Sequence, residues 1–531
     1  MQSVMNHNFS QVPTAEIQRS SFDRSHGLKS AFDGGLIIPV YVDEALPGDS
    51  FNLRMTAFAR LATPIKPVMD NMFLDSFFFA VPIRLIWSNF QKFMGEQANP
   101  GDSTTYLVPR VQAPAVTGAV TNSLSDYMGL PVGVPSIYFD SLWHRAYNLI
   151  WNEWFRDQNL QNSVTVPLGD GPDTYTDFAI LRRGKRHDYF TSCLPWPQKG
   201  ADVPIPIGST APVKGIGSRN TTWVAGNVTV YENGIPAGTT YTNYKDIDPA
   251  AANTLFTVER NSGTSTPHIW ADLSQATAAT VNSLRQAFQL QKLYERDARG
   301  GTRYIEIVKS HFLVDSPDLR AVRPIYLGGG SSPVNLHPVA QTAPAAAGTT
   351  PQGNLAGFGT VGVHGHGFSK SFTEHCVILG LVSVRADLTY QQGLDRMFSR
   401  RTRFDFFWPS LAHIGEQAVL NKEIFCDGSA NDDLVFGYQE RFAEYKYKPS
   451  RLSSIMRSNV TAGFTTLDYW HLSQDFAALP TLNATFIQET PPISRVIAVN
   501  TEPHFLFDAF FDLKCARPMP TFSVPGLIDH F

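Results

Sequence analysis

The densest chemistry in this sequence sits in one short run, Arg182-Arg183-Gly184-Lys185-Arg186-His187, with Tyr189 and Phe190 just behind it. Cationic groups meet phosphates and aromatic rings stack on unpaired bases, so the pattern suits contact with a single-stranded nucleic acid. Arg400, Arg401 and Arg403 beside Phe404 form a second patch of the same kind. Arginine is equally suited to carboxylates, so either patch could instead pair with acidic side chains at a subunit interface. The nucleic-acid-facing candidates are Arg182, Arg183, Lys185, Arg186, Tyr189, Arg400, Arg401 and Arg403, with both kinds of partner left open.

Catalytic chemistry is poorly represented. No G-x-S-x-G elbow, Walker loop, H-E-x-x-H or kinase signature occurs. Gly359 to Gly367 is glycine-dense but neither follows an expected strand nor opens a helix, as a phosphate cradle must. His364 and His366 within it lack a third ligand, so a plain turn is the simpler reading. Asp427, Asn431, Asp432 and Asp433 have an ordinary turn composition and miss the glycine and terminal glutamate of an EF-hand. Asp508 and Asp512 resemble a glycosidase pair, but a solvated strand face explains them more simply. No catalytic residue, metal ligand or cofactor is assigned.

The chain has 531 residues, 17% charged and 12% aromatic, with 37 Phe, 36 Pro and 39 Gly. So much apolar mass excludes overall disorder, and abundant Phe, Pro and Gly suit an all-β protein with many turns. A net charge of −4 argues against unaided neutralisation of nucleic acid, which needs excess Lys and Arg. Cys193, Cys376, Cys426 and Cys515 are far apart without metal-binding spacing, and read as reduced thiols in a cytoplasm. Neither a signal peptide nor a membrane-spanning run is apparent.

Positioning falls to strands. Leu36, Ile38, Val40 and Val42 alternate with more polar positions, as do Phe51, Leu53, Met55, Ala57, Ala59 and Leu61. Between them Pro47-Gly48 marks a reversal, which leaves open whether the flanking strands share one sheet or cross to another. Met72 to Val81 and Cys376 to Leu388 are apolar on both faces and belong deep in a layer. Phe505 to Cys515 places Phe505, Phe507, Ala509, Phe511, Leu513 and Cys515 on one wholly apolar face. Phe436 to Pro449 reads as an edge strand or contact segment.

Helices are few. Leu142, Ala146, Leu149, Ile150 and Trp154 form one stripe, and a helix is expected from about Thr280 to Ala298. Shorter helices are expected at Ile83 to Phe93 and within Leu411 to Phe425. Tyr304 to Val308 reads as a strand, and Gly328 to Gly367 as a loop that buries little. Residues 201–277, rich in Gly, Thr, Asn, Val and Pro, look like a separate β-rich insertion with a strand-like run at Trp223 to Tyr231. The terminal residues from Arg517 onward are too apolar for a free end and are expected to dock on this subunit or a neighbour.

Several segments carry a family resemblance: Arg24 to Gly27, Gly34 to Pro39, Asp43 to Asp49, Pro82 to Trp87, Ala179 to Gly200, Asn421 to Arg451, Leu479 to Gln488 and Ala516 to Phe531. In this order they resemble the major capsid protein of gokushoviruses, small icosahedral single-stranded DNA phages of the Microviridae. The match fades in the insertion and in the Gly328 to His366 loop.

The resemblance implies an eight-stranded viral jelly-roll β-sandwich with long loop insertions. Residues 1–200 would give its N-terminal part and 278–531 the remainder, with 201–277 projecting at the threefold axes. It implies a T=1 shell around circular single-stranded DNA, built in a bacterial cytoplasm. The expected partners are further copies of the chain, the packaged DNA, a small basic internal DNA-binding protein, a minor pilot protein, a scaffolding protein and a host receptor. The other class that the composition admits is a secreted jelly-roll carbohydrate-binding or glycan-degrading protein, with Trp223 and Trp270 stacking on sugars.

Overall fold

Alternating burial builds the scaffold from twelve strands in two sheets and a separate hairpin. They are β1 (Ser20–Asp23), β2 (His26–Phe32), β3 (Ile38–Ala45), β4 (Ser50–Leu61), β5 (Met72–Pro82), β6 (Ile325–Pro333), β7 (Asn335–Ala340), β8 (Leu355–Ser371), β9 (Cys376–Ala386), β10 (Glu416–Leu420), β11 (Val435–Glu440) and β12 (Phe505–Arg517). The computed structural model describes residues 18–204, 281–315, 321–343 and 352–522, and between 205 and 280 only the backbone of a few short strands. Two units separate by contact, Met1–Pro197 with Gly300–Phe531, and Gln198–Arg299.

In the first unit, β12 lies between β4 on one side and β1 and β2 on the other, and β8 and β7 continue the sheet beyond β4. The second sheet runs β6, β5, β9, β3, and its pairings, like those of the first, are all antiparallel. Along the chain β2, β3, β4 and β5 alternate between sheets. Then β6 stays beside β5, β8 returns to the first sheet, β9 to the second and β12 to the first. Those eight strands trace a jelly roll, with β7 folded back on the edge of β8. The Pro47-Gly48 turn therefore crosses between sheets. Gly48 takes φ +91° there, and Asp49 ties it by accepting from the Leu46 N–H at 2.9 Å.

Between the sheets lies one apolar core. The inward faces of β4 and β12 meet Val40, Leu74, Phe78, Ile378 and Val382 across it. Phe511 is fully buried, with its ring centroid 5.2 Å from Tyr41 and 5.3 Å from His26. Phe511→Ala should cost about 3–5 kcal/mol, read as a lowered unfolding midpoint of the soluble protein.

A second core covers the far side of β5 and β9. Val377, Leu379 and Leu381 of β9 turn outward against helix α1 (Leu142–Ile150), whose Leu142, Ala146, Tyr147 and Ile150 face them. The Tyr147 hydroxyl donates to the Ile37 carbonyl at 2.9 Å, fixing the helix to the segment before β3. A third cluster gathers Tyr189, Phe190, Val419, Ile424, Phe436 and Phe486 around the β10–β11 hairpin, where the expected edge strand falls.

Several expectations are corrected. The described residues of Gly328 to Gly367, which leave out 344–351, are mostly strand rather than loop and carry most of β6, all of β7 and much of β8. The glycines there serve close approach: a Cβ on Gly328 would overlap the Gly367 carbonyl, and one on Gly367 the Leu53 carbonyl. Tyr304 to Val308 is helical, within Tyr304–Phe312, because Glu306 accepts from the Thr302 and Arg303 N–H groups at 3.1 and 3.2 Å. In Leu411 to Phe425 the expected helix gives way to strand β10 over Glu416–Leu420, with one helical turn at Asn421–Ile424. Ile83 to Phe93 forms two separate turns, Ile83–Leu85 and Phe90–Phe93. The four cysteines stand as free thiols, three of them buried.

In the second unit helix Val281–Arg299 forms as expected. Strand Val228–Tyr231 pairs with Thr239–Tyr241, and Val213–Lys214 with Trp270–Ala271. Of the tail expected to dock from Arg517 onward, Arg517 donates to the Glu44 carbonyl at 2.8 Å and lies 3.3 Å from Asp49, and residues 523–531 lie outside the described residues.

Candidate nucleic-acid and assembly surfaces

The basic run at 182–187 crosses the jelly roll as an extended segment, and its side chains go to different places. Arg182 donates to the carbonyls of Gly34 and Glu489 at 3.2 and 3.3 Å. Arg183 binds Asp75 at 2.6 Å, and Arg385 of β9 reaches the same carboxylate oxygen at 2.9 Å. Lys185 is buried, donating to Gln474 Oε1 at 2.8 Å with its ammonium 4.4 Å from the Phe486 ring centroid. Tyr189 donates its buried hydroxyl to Glu423 at 2.8 Å. Arg186 and His187 remain exposed. Around this run the carboxylates of Asp75 and Glu489 are buried, so much of its charge neutralises the chain's own interior.

Burial pushes the Lys185 ammonium down to about 8. The unfolded chain then holds more protons than the folded one between about pH 8 and the ordinary lysine value, so stability rises with pH across that window. Lys185→Met should lose that alkaline rise in unfolding midpoint and leave the nucleic-acid content of particles unchanged, which absorbance ratios would check.

The second patch behaves likewise in part. Arg400 lies 3.6 Å from Glu444 and 4.3 Å over the Tyr445 ring, whereas Arg401 and Arg403 are exposed. A tight turn holds this loop, as Asp405 accepts from the N–H groups of Arg401 and Thr402 at 2.9 and 2.7 Å. Phe398, Phe404, Phe406, Phe407 and Trp408 stand about half exposed along it. A concentration of rings this large marks an interaction surface. The other rings lie within six residues of Phe404, the one that the sequence pattern places beside the arginines.

The remaining candidates separate. Gly359 to Gly367, expected as a plain turn, is strand with a bulge between Val363 and His366. His366 bonds Ser76 at 2.8 Å and Ser332 at 3.3 Å, while His364 stays exposed, so the two imidazoles do not share a site. Asp427 and Asp432 cap their own turn, accepting from the N–H groups of Ser429 at 2.8 Å and Gly428 at 2.9 Å. Asp508 and Asp512 lie on the solvated face of β12. Among the described residues no group of three or more His, Cys, Asp or Glu side chains could hold a metal ion, and no helix is long and apolar enough to cross a membrane.

A two-sheet jelly roll carrying long loops and clustered outward rings is the architecture of a shell-building subunit. The chain belongs to the phage family described as capsid protein (F protein), whose model matches residues 10–527. It is 47% identical over 535 aligned residues to capsid protein VP1 of Bdellovibrio phage phiMH2K, covering 99% of this chain and 98% of that protein. It is 44% identical to capsid protein VP1 of Chlamydia phage 1, over 99% of this chain and 98% of the relative. With capsid protein VP1 of Spiroplasma virus 4 the identity is 36%, over 98% and 97%. The gokushovirus resemblance read from the sequence is borne out. The protein is a structural capsid component of the virion rather than an enzyme, assembling with copies of itself into the shell that holds the genome.

Proposed function

We propose that the shell is a T=1 icosahedron around circular single-stranded DNA, assembled in the bacterial cytoplasm. The observation that carries this reading is the half-exposed aromatic loop from Phe398 to Trp408, apolar surface that contact with other copies would bury on every subunit. Arg186, Arg401 and Arg403 are the sequence candidates with exposed side chains, and they form the genome-facing set on this reading. Arg182, Arg183, Lys185, Tyr189 and Arg400, which have partners within the chain, position the segments that carry them. A net charge of −4 leaves countercharge to a small basic internal protein. A minor pilot protein and a scaffolding protein complete the expected set of virion partners.

The residues 201–277 form the surface protrusion on this reading, set between scaffold parts 1–200 and 278–531, and contact the host receptor. Deleting 201–277 should leave closed particles visible by electron microscopy while adsorption to host cells falls. Absent particles with unaltered adsorption of the assembled minority would make the segment scaffold instead. Should the intact chain remain a monomer under every assembly condition, the T=1 reading fails.

A further inference from the structure

The two sheets of the jelly roll differ in what covers them. The outer side of the second is closed by α1 and its apolar layer, whereas among the described residues the outer side of the first stands open along β4 and β12. On β4 the outward residues are Asn52, Arg54, Thr56, Phe58 and Arg60, and on β12 they are Leu506, Asp508, Phe510, Asp512 and Lys514. Phe58 and Phe510 are each 53% exposed. Phe58 faces Asp508 and Phe510 faces Thr56 in the β4–β12 pairing, so the two rings are diagonal neighbours and form a joint apolar patch, which marks a contact surface.

Each of these rings has a glycine beside it. Phe58 is paired with Gly362 of β8, and Phe510 with Gly27 of β2. A Cβ at Gly27 would meet only the Ala509 carbonyl, and one at Gly362 only the His364 ring. A flat group can therefore settle on each ring from the side of its glycine.

The charges on this face are unequal. Lys514 pairs with Asp23 at 2.6 Å and Lys29 with Asp508 at 3.6 Å, while Ser25 bonds Asp512 at 3.4 Å. Arg54 and Arg60 are exposed and form no ion pair among the described residues. Arg54 stands opposite Asp512 in the β4–β12 pairing, while Arg60 lies beside Phe58 on the same face of β4, so the charges of this face leave one surplus guanidinium on a net-acidic chain. Same-face neighbours on a strand lie about 7 Å apart, so Arg60 is one extended nucleotide from Phe58 and Arg54, four residues off, about two. Surplus positive charge would repel a basic protein and favours a polyanion with flat, unpaired bases.

We propose that the outer face of the first sheet is a sequence-independent platform for single-stranded DNA, with bases on Phe58 and Phe510 and phosphates on Arg54 and Arg60. This rests on the shell reading above but assigns the genome to a surface apart from the exposed basic loops.

The test is ultraviolet cross-linking of intact, genome-filled particles, with nucleotide adducts mapped by mass spectrometry. Adducts are expected on the peptides containing Phe58 and Phe510, falling about fivefold or more in Phe58→Ser/Phe510→Ser particles. Arg54→Gln/Arg60→Gln particles should release their genome at lower salt than wild type. The wild-type map decides the matter even if a variant fails to assemble. Adducts confined to the Arg186 and Arg401–Arg403 segments, or another copy of the chain cross-linked to the sheet, overturn the platform and leave the shell reading intact. Adducts on no peptide of this chain overturn the platform together with the assignment of genome-facing residues.

Discussion

Asp173→Ala should abolish particle formation. Its partner Arg145, on α1, is fully buried, and the two side chains are 0% and 2% exposed. Two parallel bonds join them, Arg145 Nε to Asp173 Oδ2 at 2.6 Å and Nη2 to Oδ1 at 2.7 Å. The guanidinium also donates to the Ile86 and Gly169 carbonyls at 2.9 Å, so it ties helix α1 to the turn after β5 and to the strand-free segment beyond the helix. Removing the carboxylate leaves a full positive charge in a dry layer, at a cost of about 3–5 kcal/mol. Typical stabilities are about 5–15 kcal/mol, so a large share would go. Replacing both residues, as Arg145→Met with Asp173→Leu, should restore most of the soluble chain, because no uncompensated charge remains. Sedimentation of lysates would report the assembled fraction. Wild-type yields from the single variant would refute the account, and so would a double variant no better than the single.

How much of this was legible in advance depended on which surfaces face water. The strand Phe505 to Cys515 could be read residue by residue because solvent lies on one side of it, and the buried face of Phe505–Arg517 is the one expected. Cys376–Ala386 was legible for the opposite reason, being covered on both faces and apolar throughout. The stripe on α1 likewise follows from one-sided burial. Glycine-rich strands gave no such period. In Leu355–Ser371 the residues that fit the sheet are those whose missing Cβ allows another backbone to approach, which composition cannot distinguish from a loop. Tyr304 to Val308 is too short for alternation to exclude a helical turn, and a glutamate cap decided it.

The site was legible as residue types but not as partners. The run at 182–187 supplies arginines, yet Arg183 finds its carboxylate 108 residues earlier in the chain, and Arg385 reaches the same group from 310 residues away. Nothing local in the sequence marks Asp75 as their anchor. The outward residues of Phe505 to Cys515, Phe510 among them, were visible by alternation alone. What the sequence left unassigned was the neighbour across the strand, such as Gly27 beside Phe510.

Asp75 is the other position where a single atom change should have a large effect, and here acidity adds a second readout. It lies on β5, 6% exposed, under Arg183 and Arg385. Burial pushes its carboxyl up, but hydrogen bonds from Ser331 and Arg183 and the charges of Arg183 and Arg385 outweigh that, so it sits below the ordinary carboxylate value. A carboxyl that holds its proton less tightly when folded contributes stability at higher pH. That contribution is complete above the unfolded value and disappears as pH falls through the folded one, hence below about pH 4. Asp75→Ala removes the carboxylate that both guanidinium groups contact, costing about 3–5 kcal/mol at neutral pH and freeing the 182–185 segment from β5. Asp75→Asn keeps the shape without the charge. Its unfolding midpoint should start below wild type at pH 7 and lie closer to it as the solution is acidified, because protonated Asp75 in the wild type loses the same attraction. Parallel pH profiles for wild type and Asp75→Asn would show that the carboxylate charge does not hold the clasp.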